Sequence, residues 1–167
     1  MAEDTTELRK LNALVIDDSK VMRSMVINAL TASELADFTF AQAGSGREAL
    51  DDFDANTTDI IFVDWNMPDM NGIEFARMVR SMSWASHIPI VMITSESGEG
   101  KQKDAFEKAR ITTYITKPFT PAEIKEMVAP VIEKIPGGGQ PAPTASKPAA
   151  PAAKAPSSGG FFSSLLK

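Results

Sequence analysis

The 167-residue chain contains no cysteine and a single histidine, His87. Without cysteine it has no disulfide framework, thiol nucleophile or cysteine zinc site, and one histidine is too few for most imidazole-rich metal centres or Ser-His triads. Its chemistry must therefore rest on carboxylate, hydroxyl and amine groups. No apolar run approaches the roughly 20 residues that cross a bilayer, so we expect no contact with a membrane.

Acidic side chains are missing from the end of the chain. All 22 of them lie in residues 1–135, together with all but three of the 17 basic side chains. Residues 136–160 are mostly Pro, Ala, Gly, Ser and Lys, a composition that buries too little apolar surface to offset the entropy of ordering. We therefore predict a folded domain over residues 1–135 and a disordered linker over 136–160.

The charge pattern also limits location and partners. The first ten residues are acidic and lack the apolar stretch of a secretory signal, so we expect a cytoplasmic protein. Binding to nucleic acid needs clustered basic side chains, which residues 1–135 do not have. We expect a monomer that does not bind nucleic acid.

Short aliphatic runs alternate with segments of helical periodicity in the predicted domain. Near-continuous aliphatic runs are typical of parallel strands covered on both faces. Helix starts are marked by Ser19 and by the sequence Thr120-Pro121, with Glu123 placed to complete a capping box. Five such units predict an α/β fold with a doubly wound parallel sheet. The predicted strands are residues 14–16, 38–41, 60–63, 88–93 and 114–115.

Acidic residues follow two of the predicted strands. Asp17 and Asp18 come after the first and Asp64 after the third, and ligands of such sheets bind beyond these carboxyl ends. Two carboxylates about 5 Å apart repel by roughly 3 kcal/mol at an effective dielectric constant of about 20, so three of them take up protons or hold a cation. An all-oxygen site suits Mg²⁺, with Mn²⁺ as the alternative.

A hydroxyl and an amine follow two more of the predicted strands. Thr94 comes after the fourth predicted strand and Lys117 after the fifth. A carboxylate can attack phosphorus when cations neutralise the phosphoryl oxygens and a donor marks their position. Asp64 is the best candidate nucleophile, with Lys117 as a charge partner and Thr94 as the hydroxyl donor.

Four separated motifs over residues 9–135 resemble one known family. The runs V-I-D-D-S, F-V-D-W-N-M-P-D-M-N-G, M-I-T-S-E and Y-I-T-K-P-F are similar to those of response regulator receiver domains, most of all the stand-alone chemotaxis (CheY-like) type. The resemblance implies a flavodoxin-like sheet of five parallel strands in the order 2-1-3-4-5. It also implies a two-component signalling switch rather than an enzyme with external substrates, one that catalyses its own phosphoryl transfer and hydrolysis.

The resemblance assigns roles to the acidic residues. It implies that Asp64 is the phosphoryl acceptor and that Asp18, Asp64 and the backbone carbonyl of Asn66 bind the metal. Asp17 would act on the metal through water. The implied partners are a sensor histidine kinase and a downstream target protein or phosphatase.

The resemblance also implies a switch. Thr94 and Lys117 would contact the phosphoryl group, Tyr114 would turn inward when the Thr94 hydroxyl moves, and the bond between Lys117 and Pro118 would be cis. Two departures from the family pattern affect the usual partner-binding face: Arg110-Ile111 replaces a small pair before the fifth strand, and the fourth helical region carries two glycines. The partner is therefore less well defined than the chemistry.

Other functions stay open at this stage. An Asp-nucleophile phosphatase would need a second acid two residues after Asp64, where the chain has Asn66. A flavin-binding module would need a phosphate loop after the first strand, where the chain has Asp17-Asp18. A non-phosphorylated pseudo-receiver that only binds proteins is compatible with the motifs.

The chain ends in the sequence G-G-F-F-S-S-L-L-K. Phe161, Phe162, Leu165 and Leu166 repeat at the spacing of one apolar face of a short helix. We predict that residues 161–167 are a docking motif for a kinase, a phosphatase or the domain's own surface.

Overall fold

The structure, a computed structural model, describes residues 7–136. Within this range five strands alternate with five helices. They are β1 (Lys10–Ile16), α1 (Lys20–Ser33), β2 (Asp37–Ala43), α2 (Gly46–Asp52), β3 (Ile60–Val63), α3 (Gly72–Ser81), β4 (Ile90–Thr94), α4 (Glu99–Ala109), β5 (Thr113–Thr116) and α5 (Pro121–Glu133). None of these helices is long and apolar enough to cross a membrane. The predicted linker beyond Pro136 and the predicted docking motif lie outside the described residues.

All five strands are parallel and their order is β2-β1-β3-β4-β5. The predicted fold class and strand order are therefore confirmed. One apolar core joins the sheet to α1 and α5, and a second joins its opposite face to α2, α3 and α4. The sheet is thus covered on both sides, which explains why β3 and β4 are buried along their whole length.

The strands at one edge of the sheet are longer than predicted. β1 begins at Lys10 and alternates exposed and buried residues before its aliphatic end, and β2 alternates along most of its length. The prediction relied on continuous aliphatic runs, which only the doubly covered strands have. β4 begins two residues later than predicted, because the N–H of Ile88 bonds to the carbonyl of Ala85 in the preceding turn.

Side-chain caps start most of the helices as the sequence indicates. The hydroxyl of Ser19 accepts a hydrogen bond from the first turn of α1, and Thr120 and Glu123 form a reciprocal capping box on α5. α4 begins after Gly98 without a side-chain cap, consistent with its weak sequence signal. α5 stays helical through Pro130, so this proline does not end the helix.

Gly72, the first residue of α3, lies against the backbone at the end of β3. Its N–H donates to the carbonyl of Trp65 at 2.9 Å, and a Cβ at this position would clash with the backbone carbonyl of Asp64. α3 can therefore pack close to the strand end only because residue 72 has no side chain.

We expect opposite effects from two Gly→Ala substitutions. Gly72→Ala should lower the free energy of unfolding by about 1–3 kcal/mol, because the backbone must shift to admit the methyl group. Gly100→Ala is the control: it lies in α4, a Cβ there meets nothing within 4 Å, and it should raise stability by up to about 1 kcal/mol. Urea unfolding of both variants measures this. Equal stability of the two would contradict the close packing at Gly72.

Candidate functional site

The register of the sheet brings three acidic side chains to one place. Ile16 pairs with Val63 across β1 and β3, so Asp17 and Asp64 leave the sheet side by side, and Asp18 follows Asp17. One carboxylate oxygen from each of the three lies within 4.8 Å of the others. The predicted acidic cluster is present.

Two of the three acids are buried. Asp17 is 4% and Asp64 7% exposed, whereas Asp18 is exposed. Burial raises the pKa of Asp64 above its ordinary value; the charge of Lys117 opposes this rise and the charge of Asp17 adds to it. The folded protein therefore holds the Asp64 carboxylate at a cost in stability.

Lys117 supplies the positive charge within the cluster. It follows β5, and its Nζ lies 2.9 Å from Oδ2 of Asp17 and 3.4 Å from Oδ1 of Asp64. The backbone N–H of Lys117 donates to the carbonyl of Thr94 at 2.8 Å. The residue is thus fixed at both ends, but a single ammonium group balances only part of the charge of three carboxylates.

The unequal hydrogen bonding of the acids fits a divalent cation. Both carboxylate oxygens of Asp17 accept protein hydrogen bonds: Oδ1 from the N–H of Ser19 at 2.9 Å, and Oδ2 from Lys117. Oδ1 of Asp64 is buried and accepts none. Asp64 and the exposed Asp18 therefore offer oxygens to a metal directly, while Asp17 is better placed to act through water. Such an all-oxygen donor set suits Mg²⁺.

The backbone carbonyl of Asp17 accepts a hydrogen bond from a side chain that sequence analysis did not identify. The guanidinium of Arg23 on α1 donates from Nη1 to the carbonyl of Asp17 at 2.6 Å and from Nε to Oε1 of Gln42 at 3.1 Å. No local pattern in the sequence distinguishes Arg23 from a solvated helical arginine. Its role depends on the pairing of β1 with β2.

Thr94 and Tyr114 are linked through Glu96. The side chain of Thr94 is fully buried, and its Oγ1 accepts from the N–H of Glu96 at 3.3 Å. The hydroxyl of Tyr114 donates to the carbonyl of Glu96. Burial, with the negative charges of Glu96 and Asp64, raises the pKa of Tyr114 to about 12. Tyr114 is therefore a neutral donor at physiological pH. Thr94 does not cap α4, because the N-cap of that helix is Gly98.

The side chain of Glu96 joins the two loops beside Asp64, which sequence analysis did not indicate. It accepts from Nδ2 of Asn66 at 3.3 Å and pairs with Lys101. The Nζ of Lys101 lies 5.9 Å from the ring centroid of Trp65. Hydrogen bonds from Lys101 and Asn66 lower the pKa of Glu96. The side chain of Asn66 thus binds Glu96. The predicted metal ligand at this position is the backbone carbonyl, which this contact does not use.

Comparison with known proteins shows the family. Residues 13–129 match the model of the response regulator receiver domain. The chain belongs to the response regulator receiver domain family. The bond between Lys117 and Pro118 is cis, as the resemblance of this chain to that family implied.

Similar receiver proteins cover the described part of the chain. The chain is 42% identical over 123 residues to the chemotaxis protein CheY1 of Helicobacter pylori, covering 73% of this chain and 97% of the relative. It is 38% identical over 123 residues to a CheY homolog of Campylobacter jejuni, with 73% and 92% covered. The structure of Vibrio cholerae CheY4 superposes with a TM-score of 0.63 at 30% identity and covers 75% and 98% of the two chains.

We expect Asp64→Asn to raise the stability of the metal-free receiver at neutral pH. The substitution removes the buried charge and its repulsion from Asp17, while Lys117 keeps its ion pair with Asp17. Because the pKa of Asp64 is raised in the folded protein, the ionised carboxylate lowers the stability of the wild type at pH values above that pKa. The gain should therefore shrink as the pH falls toward and below 3.8, the ordinary value.

Thermal unfolding in a chelating buffer at several pH values measures this gain. Asp69→Asn is the matched control: it removes an exposed acid from the same loop at a positive φ that asparagine tolerates. The control should change stability by less than about 0.5 kcal/mol. A lower melting temperature for Asp64→Asn at neutral pH would contradict the electrostatic account.

Proposed function

We propose that this receiver domain is a phosphorylation-controlled switch of a two-component system. Asp64 accepts a phosphoryl group from a sensor histidine kinase in an Mg²⁺-dependent reaction, and the phosphorylated protein binds a downstream target protein. The observation that carries the proposal is the buried Asp64 oxygen, which accepts no hydrogen bond although it lies beside Lys117.

The chain's own residues would perform most of the transfer. An oxygen of Asp64 attacks the phosphorus of a phosphohistidine, a P–O bond forms, the P–N bond breaks, and the departing imidazole takes a proton from solvent. Lys117 holds the reacting carboxylate and offers its charge to the phosphoryl oxygens. Mg²⁺ would be held by Asp18, Asp64 and the carbonyl of Asn66, with Asp17 acting through water. When bound, it neutralises charge on the acceptor and the phosphoryl group.

The pathway is proposed from the relatives. The Helicobacter pylori and Campylobacter jejuni proteins are named as chemotaxis proteins, and each is covered by the chain over more than nine-tenths of its length. We therefore place the switch in chemotaxis. We propose that its output is phosphorylation-dependent docking to a separate target protein.

Thr94 is the proposed link between phosphorylation and output. A hydrogen bond from its hydroxyl to the phosphoryl group contributes about 1.5–3 kcal/mol, which shifts an inactive–active equilibrium about ten- to hundredfold. A shift from 1:99 to 99:1 needs about 5.5 kcal/mol. Thr94 alone is therefore insufficient, and contacts of Lys117 and the partner supply the remainder. Activation by phosphorylation alone is then graded.

Phosphorylation should depend on one acid. Incubation of the full chain with acetyl phosphate and Mg²⁺ should add one phosphoryl group, detected by intact mass. Asp64→Asn should abolish the addition and Asp69→Asn should leave it unchanged. Asp18→Ala should remove most of the dependence on Mg²⁺. If neither acetyl phosphate nor a histidine kinase modifies the wild-type chain, the protein is a pseudo-receiver and the proposal is wrong.

Thr94→Ala should separate phosphorylation from activation. The variant should still accept phosphate on Asp64. The ratio of active to inactive phosphorylated protein should be about ten- to hundredfold lower than in the wild type, because one charge-assisted hydrogen bond is lost. Thr94→Ser keeps the hydroxyl and serves as the control. NMR line positions of the phosphorylated proteins report the two populations. A fully active Thr94→Ala protein would exclude Thr94 as the transmitter.

A further inference from the structure

The β1–β2 side of the sheet carries a cleft that the proposed switch does not use. α2 ends at Asp52 after 7 residues, so it leaves part of the sheet uncovered. Thr39 and Ala41 of β2 are exposed there, while Ala43 on the same face is buried. Among the described strands only β1 pairs with β2, which leaves its outer edge open. We call this region the β2 cleft; its lining includes Leu14, Thr39, Ala41, Phe53, Thr57 and Thr58.

The size and lining of the β2 cleft favour apolar side chains of a peptide. Its volume is about 250 Å³, below the roughly 300–1,000 Å³ of pockets that enclose a small-molecule ligand. Leu14 and Phe53 form its floor, and three threonine side chains lie around them. A segment with a few large apolar residues and polar neighbours matches this surface.

The described chain ends close to the start of β2. The guanidinium of Arg9 donates to the carbonyls of Ile135 and Pro136, the latter at 2.6 Å. The carbonyl of Arg9 accepts from the N–H of Asp37, the first residue of β2, at 2.8 Å. Through Arg9, Pro136 therefore lies near the first residue of β2, on the α1 and α5 side of the sheet and opposite the face that carries the β2 cleft.

The length of chain beyond Pro136 is sufficient to reach the β2 cleft. β2 has 7 residues, which span about 23 Å at 3.3 Å per residue. Residues 137–160 come before the apolar segment F-F-S-S-L-L-K, and each residue spans up to about 3.5 Å. Fewer than half of them cover the length of β2, and the others are enough to pass round the open edge of β2 to the opposite face of the sheet. Residues 161–167 can therefore reach the cleft of the same chain.

Charge complementarity favours the same occupant. The stretch D-D-F-D-A-N-T-T-D, residues 51–59, forms one side of the β2 cleft and contains four acids and no base. Residues 137–167 contain Lys147, Lys154 and Lys167 and no acid. The positive charge of residues 137–167 therefore favours binding of the apolar segment beside the acidic residues 51–59.

We propose that residues 161–167 dock into the β2 cleft of their own chain, with phenylalanine and leucine side chains on Leu14 and Phe53 and Lys167 near Asp52. The inference goes beyond the proposed switch and does not depend on phosphorylation. A tether holds the segment at an effective concentration on the order of 1 mM. A weak contact, with a dissociation constant on the order of 0.1 mM, would then be about nine-tenths occupied.

Hydrogen exchange of the full-length, unphosphorylated chain tests the proposal. The tail variant replaces Phe161, Phe162, Leu165 and Leu166 with serine, and the control Ser163→Ala/Ser164→Ala leaves the apolar residues in place. In the wild type and the control, the amides of residues 38–42 and 53–58 should exchange up to about tenfold more slowly than in the tail variant. Ala41→Lys should reproduce the tail variant's rates at residues 53–58, because it blocks an exposed part of the cleft without entering the core.

Several results would overturn the proposal. Equal exchange in wild type and tail variant would show that the segment does not occupy the β2 cleft. Protection of α1, which exposes Val21 and Met25, instead of β2 would place the segment elsewhere. Protection of β2 that disappears on dilution would assign the cleft to the tail of a second copy. None of these three results would affect the test of Asp64 phosphorylation.

Discussion

Repulsion among three neighbouring carboxylates, two of them buried, is the constraint on which the rest of this structure depends. Asp17, Asp18 and Asp64 place their oxygens within 4.8 Å of one another, and Lys117 balances only part of their charge. Such a cluster is unfavourable by itself, because burial and like charge both oppose ionisation of Asp64. The proposed chemistry follows from this imbalance: the site would attract a cation, and the cation would offset the negative charge of an incoming phosphoryl group.

The fold holds this unfavourable arrangement in place through backbone contacts. The N–H of Asp64 bonds to the carbonyl of Ile16 at 2.9 Å, and that of Asp17 to the carbonyl of Ala43 at 3.2 Å. Arg23 fixes the carbonyl of Asp17 from α1, and the absent side chain of Gly72 lets α3 approach the carbonyl of Asp64. The surrounding apolar cores therefore provide the stability that the acidic cluster lowers.

The sequence predicted those features that depend on strand ends. The carboxyl ends of parallel strands meet at one edge of the sheet, so the sequence predicts that the residues at the ends of four aliphatic runs lie together: Asp17, Asp64, Thr94 and Lys117. The edge strand β2 alternates and was predicted too short, because its outer face is only half covered. Arg23 and Glu96 could not be found, since their partners Asp17, Asn66 and Tyr114 come from other elements. Their roles appear only when the register of the sheet is known.

Calorimetric titration of Mg²⁺ into the full-length chain is the most direct test of the central claim. The account predicts saturable binding of one ion per chain, lost or weakened at least about tenfold in Asp18→Asn, which corresponds to about 1.4 kcal/mol. Asp69→Asn should bind as the wild type does. Absence of saturable binding to the wild type, or equal affinity in Asp18→Asn, would contradict the claim that these three carboxylates form a cation site.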